Sequence, residues 1–227
     1  MMQMTKVTKA AMLALAMTGT AAPVMAQQAA QQAAQQAVAH DAAHQHDHAQ
    51  DRIAQGYFED AQVHPRPLSD WAGNWQSVYP YLLDGTLDPV MRDKAHHGDK
   101  TAEEYKEYYA TGYRSTTDRI RIEGDIVTFH AEDGILQGRY LSDGQEILTY
   151  AKGNRGVRYV FRKADGDAGA PDFIQFSDHA IAPVKAGHYH LYWGDDRDAL
   201  LAEVTNWPTF YPTGMTGDQI LSEMLAH

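Results

Sequence analysis

The sequence predicts a mainly β chain: a closed or nearly closed antiparallel barrel with additional flanking α-helices. Three observations predict it. After Tyr113 the chain breaks into short β-branched or aromatic segments, which fit a pleated, half-buried surface. Gly paired with Asp or Asn separates several of them, at Gly124-Asp125, Asp133-Gly134, Asp143-Gly144 and Gly153-Asn154, and such pairs make hairpin turns. The length of 227 residues, 44% hydrophobic and 22% charged, suits one soluble domain with at most a small appendage.

Before the strands, Asp51 to Asp60 has helical composition interrupted by Gly56. Leu68 to Pro80 (LSDWAGNWQSVYP) is dense in aromatics, and Ser69 or Asp70 can cap a short helix or turn there. Helices are expected over Leu87 to Ala95 and Thr101 to Thr111, where Thr101 and Glu104 make a capping box. Strands are expected over Ile120 to Ile122, Ile126 to His130, Ile135 to Tyr140, Glu146 to Ala151, Val157 to Arg162, Phe173 to Asp178 and His188 to Trp193. Asp195 to Asn206 reads as a helix with apolar positions at 200, 201 and 204, and Gly217 to Ala226 as a last short one. Closing the strands into a barrel removes exposed edges.

Composition excludes several classes. There is no cysteine, so no disulfide scaffold, and any metal site must use imidazole, carboxylate or thioether ligands. The formal net charge of −11 repels phosphate backbones, so no nucleic-acid partner is expected. No apolar run reaches the length of about 18 residues that a transmembrane helix needs.

The N-terminus reads as an address. Lys6 and Lys9 form a positive region, Ala10 to Met17 is apolar, and Val24 and Ala26 sit at cleavage positions. Residues 1–26 are therefore expected to be a secretory signal peptide, implying export. After its removal no membrane insertion is expected. Residues 27–50 read as a disordered tether, first Gln/Ala-rich and then His-rich. His40, His44, His46 and His48, with two Asp among them, suit weak capture of divalent transition metals. Residues 51–227 are expected to be the folded domain.

The chemistry concentrates in Asp178 to His190. His188 and His190 are two apart, so in a strand they share a face, and Tyr189 faces the other way. Pro183 and Gly187 mark a connection back to His179. In a hairpin with 179 opposite 188, the Cβ atoms would lie roughly 4.5–5.5 Å apart. Three imidazoles then converge, which suits tetrahedral Zn²⁺ with a fourth position for water, a carboxylate or a tether His. Copper and nickel also accept imidazole. His64, His96, His97, His130 and His227 read as structural or solvated, and Tyr105, Tyr108, Tyr109 and Tyr113 as a packing stripe.

Several strings are specific: Leu68 to Pro80, Gly156-Val157-Arg158-Tyr159, Phe173 to His179, Ile181-Ala182-Pro183, His188-Tyr189-His190 and Asn206 to Pro212 (NWPTFYP). On these, from about Ala54 to the end, the chain resembles the ZinT (YodA) family of periplasmic zinc-binding proteins. Gly73-Asn74-Trp75 also echoes the G-x-W signature of lipocalins. The resemblance implies a lipocalin-like (calycin) barrel with attached helices, and a zinc site whose ligands fall on His179, His188 and His190. It implies that cadmium or other divalent metals can occupy the site. It makes His40, His44, His46 and His48 a His-rich loop, and implies capture of zinc under scarcity for the solute-binding protein of a zinc ABC importer. Some members carry a cysteine pair; this chain has none.

Two other functions are weighed. Three His plus water also make a catalytic zinc for a hydrolase or hydratase. That needs a general base; H-E-x-x-H is absent, and Asp178 is expected to point away from His179. A lipocalin-like carrier of a small apolar ligand fits the aromatic content. The zinc-binding reading, without enzymatic activity, accounts for most of the residues.

Overall fold

Alternation of apolar and polar residues forces one face of each strand inward, and the strands meet at short turns. The computed structural model describes residues 51–226. The expected signal peptide, the tether with His40, His44, His46 and His48, and His227 lie outside the described residues.

Among the described residues the strands are β1 (Gly73–Ser77), β2 (Thr117–Glu123), β3 (Ile126–Ala131), β4 (Gly134–Thr149), β5 (Arg155–Gly166), β6 (Phe173–Ser177), β7 (Tyr189–Gly194) and β8 (Thr209–Pro212). They form one closed barrel in chain order, antiparallel throughout. β1 closes it against β8, with Trp75 opposite Pro212 and Ser77 opposite Phe210. The helices are α1 (Tyr79–Leu83), α2 (Asp88–His97), α3 (Ala102–Tyr113), α4 (Arg197–Ala202) and α5 (Gly217–Ala226). The capping box of Thr101 and Glu104 opens α3 as expected.

The barrel, the flanking helices and most strands match the expectation; three differences have physical causes. The segments at 135–140 and 146–151 are parts of one strand, β4, and Asp143-Gly144 is no hairpin turn. The register shifts between Ser142 and Gln145, and Gly144 has φ of 91°. That is how a bulge absorbs an extra residue. Asp143 and Glu146 are tied instead to Arg197 at 3.0 and 2.7 Å. The helix expected over Asp195 to Asn206 is shorter. Asp196 caps its start, and Glu203 Oε1 accepts from Thr205 and Asn206, turning the chain out of the helix. At the N-terminal side only residues 51–54 are helical, followed by a turn at Gly56.

The bore is packed with rings. Trp71 stacks on Phe176 at 4.7 Å, and Trp75 meets Tyr189 edge-on at 4.6 Å. Tyr159, Phe161, Ile174 and Phe210 complete the filling. Each such side chain contributes roughly 1.5–3 kcal/mol by burial. A second core lies on the other face of β8. Phe210 points into the bore, whereas Tyr211 packs with Leu82, Leu87, Met91, Tyr113 and Ile220 of the helical layer. Tyr105 and Tyr109 join this layer with Tyr113, so three of the four stripe tyrosines pack as expected, whereas Tyr108 is about half exposed.

The C-terminus of α3 is closed from afar. Asn206 Nδ2 donates to the carbonyls of Thr111, Gly112 and Arg114, and Trp207 N donates to Gly112 O at 2.6 Å. A Cβ on Gly112 would stand 2.3 Å from the Trp207 ring. Gly112→Ala is therefore expected to push Trp207 out of place and cost about 1–3 kcal/mol, measured by denaturant unfolding.

Candidate metal centre

In β7, Tyr189 and Leu191 are buried in the bore. His190, between them, faces the outer wall. Thr209 on β8 is outward for the same reason, next to inward Phe210. The centre is thus built outside the barrel, under α5, not in the bore.

His179 reaches it by a turn. β6 and β7 pair from Phe173–Gly194 to Ser177–His190, and there the ladder ends. The expected register is right, since its continuation would set 179 opposite 188. The two are not paired strand residues, however. The chain leaves β6 at Asp178, and His179 takes φ of 65°, in the left-handed region. The turn carries its ring toward the other two.

The three rings form a near-equilateral triangle. Centroids are 5.6 Å apart for His179–His190, 6.1 Å for His179–His188 and 6.2 Å for His188–His190. Imidazoles on one tetrahedral zinc, at about 2.0–2.1 Å per Zn–N bond, put their centroids about 5 Å apart. Among the described residues no group of three or more His, Asp or Glu stands close enough, as placed, to hold a metal ion. The rings need to draw in by up to about 1 Å, a side-chain movement.

His190 in β7, and His188 just before it, each have a hydrogen-bond partner at Nδ1. His190 Nδ1 lies 2.8 Å from Thr209 Oγ1. Thr209 in turn donates to Trp207 O at 3.0 Å, so its hydroxyl can accept from an Nδ1–H. His188 Nδ1 lies 3.1 Å from Glu223 Oε1 on α5. Tyr211 donates to the other Glu223 oxygen and stacks on His188 at 5.1 Å. Burial, then Glu223, holds the Tyr211 pKa up, so its proton stays in place. With Nδ1 engaged, Nε2 would be the atom of each ring that meets a metal, as in metal-binding histidines held by such partners. Glu223→Gln is expected to weaken zinc binding about 10- to 100-fold, read by chelator competition.

Dense packing, then the neighbouring imidazoles and Arg158, lowers the His190 pKa well below 6.5. Folded His190 therefore stays neutral where the unfolded chain takes up a proton. The sign follows: stability is full above pH of about 6.5 and is lost as pH falls toward the depressed value. The metal-free protein is expected to melt lower at pH 5 than at pH 7.5, and His190→Gln to flatten that dependence in thermal unfolding.

The loop between His179 and His188 is held by a buried arginine. Arg66, with a fully buried side chain, makes a bidentate pair with Asp178 and a 2.9 Å bond to Asp70. It also donates to Val184 O at 2.8 Å and stacks on Trp71 at 4.2 Å. Asp70 accepts from Val184 N, and its carbonyl from Ala186 N. Burial would lower the Arg66 pKa, but Asp178 and Asp70 outweigh it and raise it. Asp178 is thus committed to Arg66 and is not placed as a general base.

A cleft of about 470 Å³ opens beside the centre. Its wall includes His179 and His190, and also Arg158, Tyr192, Val204 and Trp207. His64, His96, His97 and His130 do not line it. The three histidines picked from the sequence lie together in the structure. Glu223, Thr209 and Arg66, which no local pattern marks, were not legible in the sequence.

Comparison with known proteins agrees with this architecture. Residues 49–227 match the model of a family described as ZinT (YodA) periplasmic lipocalin-like zinc-recruitment. The chain belongs to the ZinT (YodA) family. A ZinT relative, the probable metal-binding protein YrpE of Bacillus subtilis, is 60% identical over 78% of this chain and 71% of its own length. The zinc-binding protein AdcA of Streptococcus pyogenes is 50% identical over 77% of this chain, which spans only 35% of AdcA. The Zn(II)-bound ZinT-like domain of Streptococcus pneumoniae AdcA superposes with a TM-score of 0.74 at 48% identity, over 76% of this chain and 97% of that domain. The ZinT family and these relatives are named for metal binding and not for catalysis.

Proposed function

We propose that this protein captures Zn²⁺ at His179, His188 and His190 and passes it to the solute-binding protein of a zinc ABC importer. The convergence of three imidazole rings on the outer wall carries the reading. Support comes from the zinc-bound state of the AdcA ZinT-like domain. The rim position also favours release: an ion held outside the bore, beside an open cleft, is reachable by an acceptor's ligands. The N-terminal signal segment would export the chain, which agrees with the family's periplasmic description and with a lipoprotein relative, AdcA of Streptococcus pneumoniae. His40, His44, His46 and His48 would raise the local concentration of metal. Cadmium and other divalent ions that accept imidazole would compete for the same site.

The bore argues against a lipocalin-like carrier, because Trp71, Trp75, Phe176 and Tyr189 fill it. The zinc reading is tested by competition titration of the full chain against a chelator of known affinity. The expected result is an equimolar tight site that survives replacement of His40, His44, His46 and His48 by Ala. A tight site that vanishes in that variant, yet persists when all three barrel histidines are replaced, would overturn it.

A further inference from the structure

The cleft is far larger than its proposed cargo requires. An ion completing its coordination with water needs little more than the roughly 30 Å³ that each water occupies. A cleft of about 470 Å³ falls in the range of small-molecule sites, about 300–1,000 Å³. It runs past two of the three histidines, His179 and His190. Its remaining wall combines rings, from Phe58, Tyr108, Tyr192 and Trp207, with one unusual cation.

That cation is Arg158, only 1% exposed. Among the described residues no carboxylate forms an ion pair with it. Its guanidinium lies 3.2 Å over the Tyr192 ring and donates to the carbonyls of Leu200 and Glu203 at 3.4 and 2.9 Å. Its Nε has no acceptor. A buried cation without an anion is costly. Arg155, also in the wall, is neutralised by Asp60, and Arg66 by two carboxylates. Tyr150 hydrogen-bonds Arg158, and Glu203 lies near enough to act on its charge, yet it is the one described arginine of the cleft wall without an ion pair, beside aromatic surface and the adjoining histidine triad.

We propose that this cleft binds a small organic chelator of amino-acid type, and that the metal is held at the triad as a mixed complex with it. The chelator's single carboxylate is drawn to the Arg158 end, its apolar or ring portion lies against Tyr192 and Trp207, and its donor atom takes the fourth metal position. One cation without an ion pair matches one carboxylate. A polyanion would meet the repulsion of a chain of net charge −11. This inference rests on the zinc reading above and names what accompanies the ion.

Equilibrium dialysis of the full chain with radiolabelled L-histidine, with and without equimolar zinc, tests it, with bound zinc measured in the same samples. Zinc-dependent retention of equimolar histidine is expected. Val204→Trp, at an exposed position of the cleft wall, is expected to abolish histidine retention and leave zinc uptake intact. Arg158→Gln, which removes the attracting charge, is expected to weaken retention about tenfold, and Arg158→Lys, which keeps it, to weaken it less. Zinc bound without histidine overturns this inference and leaves the zinc site standing. So does displacement of histidine by imidazole, which lacks the carboxylate, as readily as by unlabelled histidine. Histidine retention that appears only after removal of residues 27–50 also overturns it, because the chain's own His-rich segment then occupies the cleft. Absence of zinc uptake in wild type counts against the zinc reading itself.

Discussion

His190→Ala is expected to weaken zinc binding by a hundredfold or more, on the order of what one inner ligand supplies. His190 is the most committed of the three. It is fixed by β7, oriented by Thr209 at 2.8 Å, and kept neutral by its surroundings. A metal would therefore meet it without its first losing a proton at neutral pH. His179→Ala and His188→Ala are expected to act in the same direction, and the triple replacement to add little to any single one. Ligands of one ion act as a unit, so their losses do not add. Chelator competition reads all four variants. Circular dichroism is expected to stay unchanged, because these rings sit outside the packed bore.

Arg66→Met is expected to give the second large effect, on stability and on metal together. Removing the guanidinium leaves Asp70 and Asp178 facing each other, with side chains 13% and 3% exposed. Breaking a buried ion pair in this way costs about 3–5 kcal/mol. For a domain of this size that is a drop in Tm of roughly 6–20 °C. The same change releases the loop from Asp178 to Ala186, so His179 loses its anchor next door. Zinc is then expected to bind more weakly in protein that is still folded at low temperature. Arg66→Lys keeps the charge but not the bidentate fork. It is expected to recover part of the stability and less of the zinc affinity. Differential scanning calorimetry with and without zinc separates the two effects.

The parts legible in the sequence are those with local causes. Alternation and turn residues marked β2, β3, β5, β6 and β7, and the Thr101–Glu104 box marked α3. The two strands that close the barrel were not legible. β1 is GNWQS and β8 is TFYP, each short, and β8 ends in proline. Their pairing comes from closure, not from their own pattern. Gly144 misled because a glycine with positive φ serves a bulge as well as a hairpin. In the site, the two-residue spacing of His188 and His190 was legible, although β7 begins only at Tyr189, and so was the return to His179. Arg66 was not, because its partner Asp178 is 112 positions away. Glu223 comes from a helix 35 positions beyond His188. Nor did spacing reveal that the site is on the outer wall; that follows from which strand face the bore takes.

The most direct test of the central claim is X-ray absorption at the zinc edge, on the full chain loaded with equimolar zinc. Three imidazole nitrogens at about 2.0–2.1 Å plus one further light ligand are expected, with the imidazole count falling in His190→Ala. A spectrum dominated by oxygen ligands, or one unchanged when His179, His188 and His190 are all replaced, would contradict it.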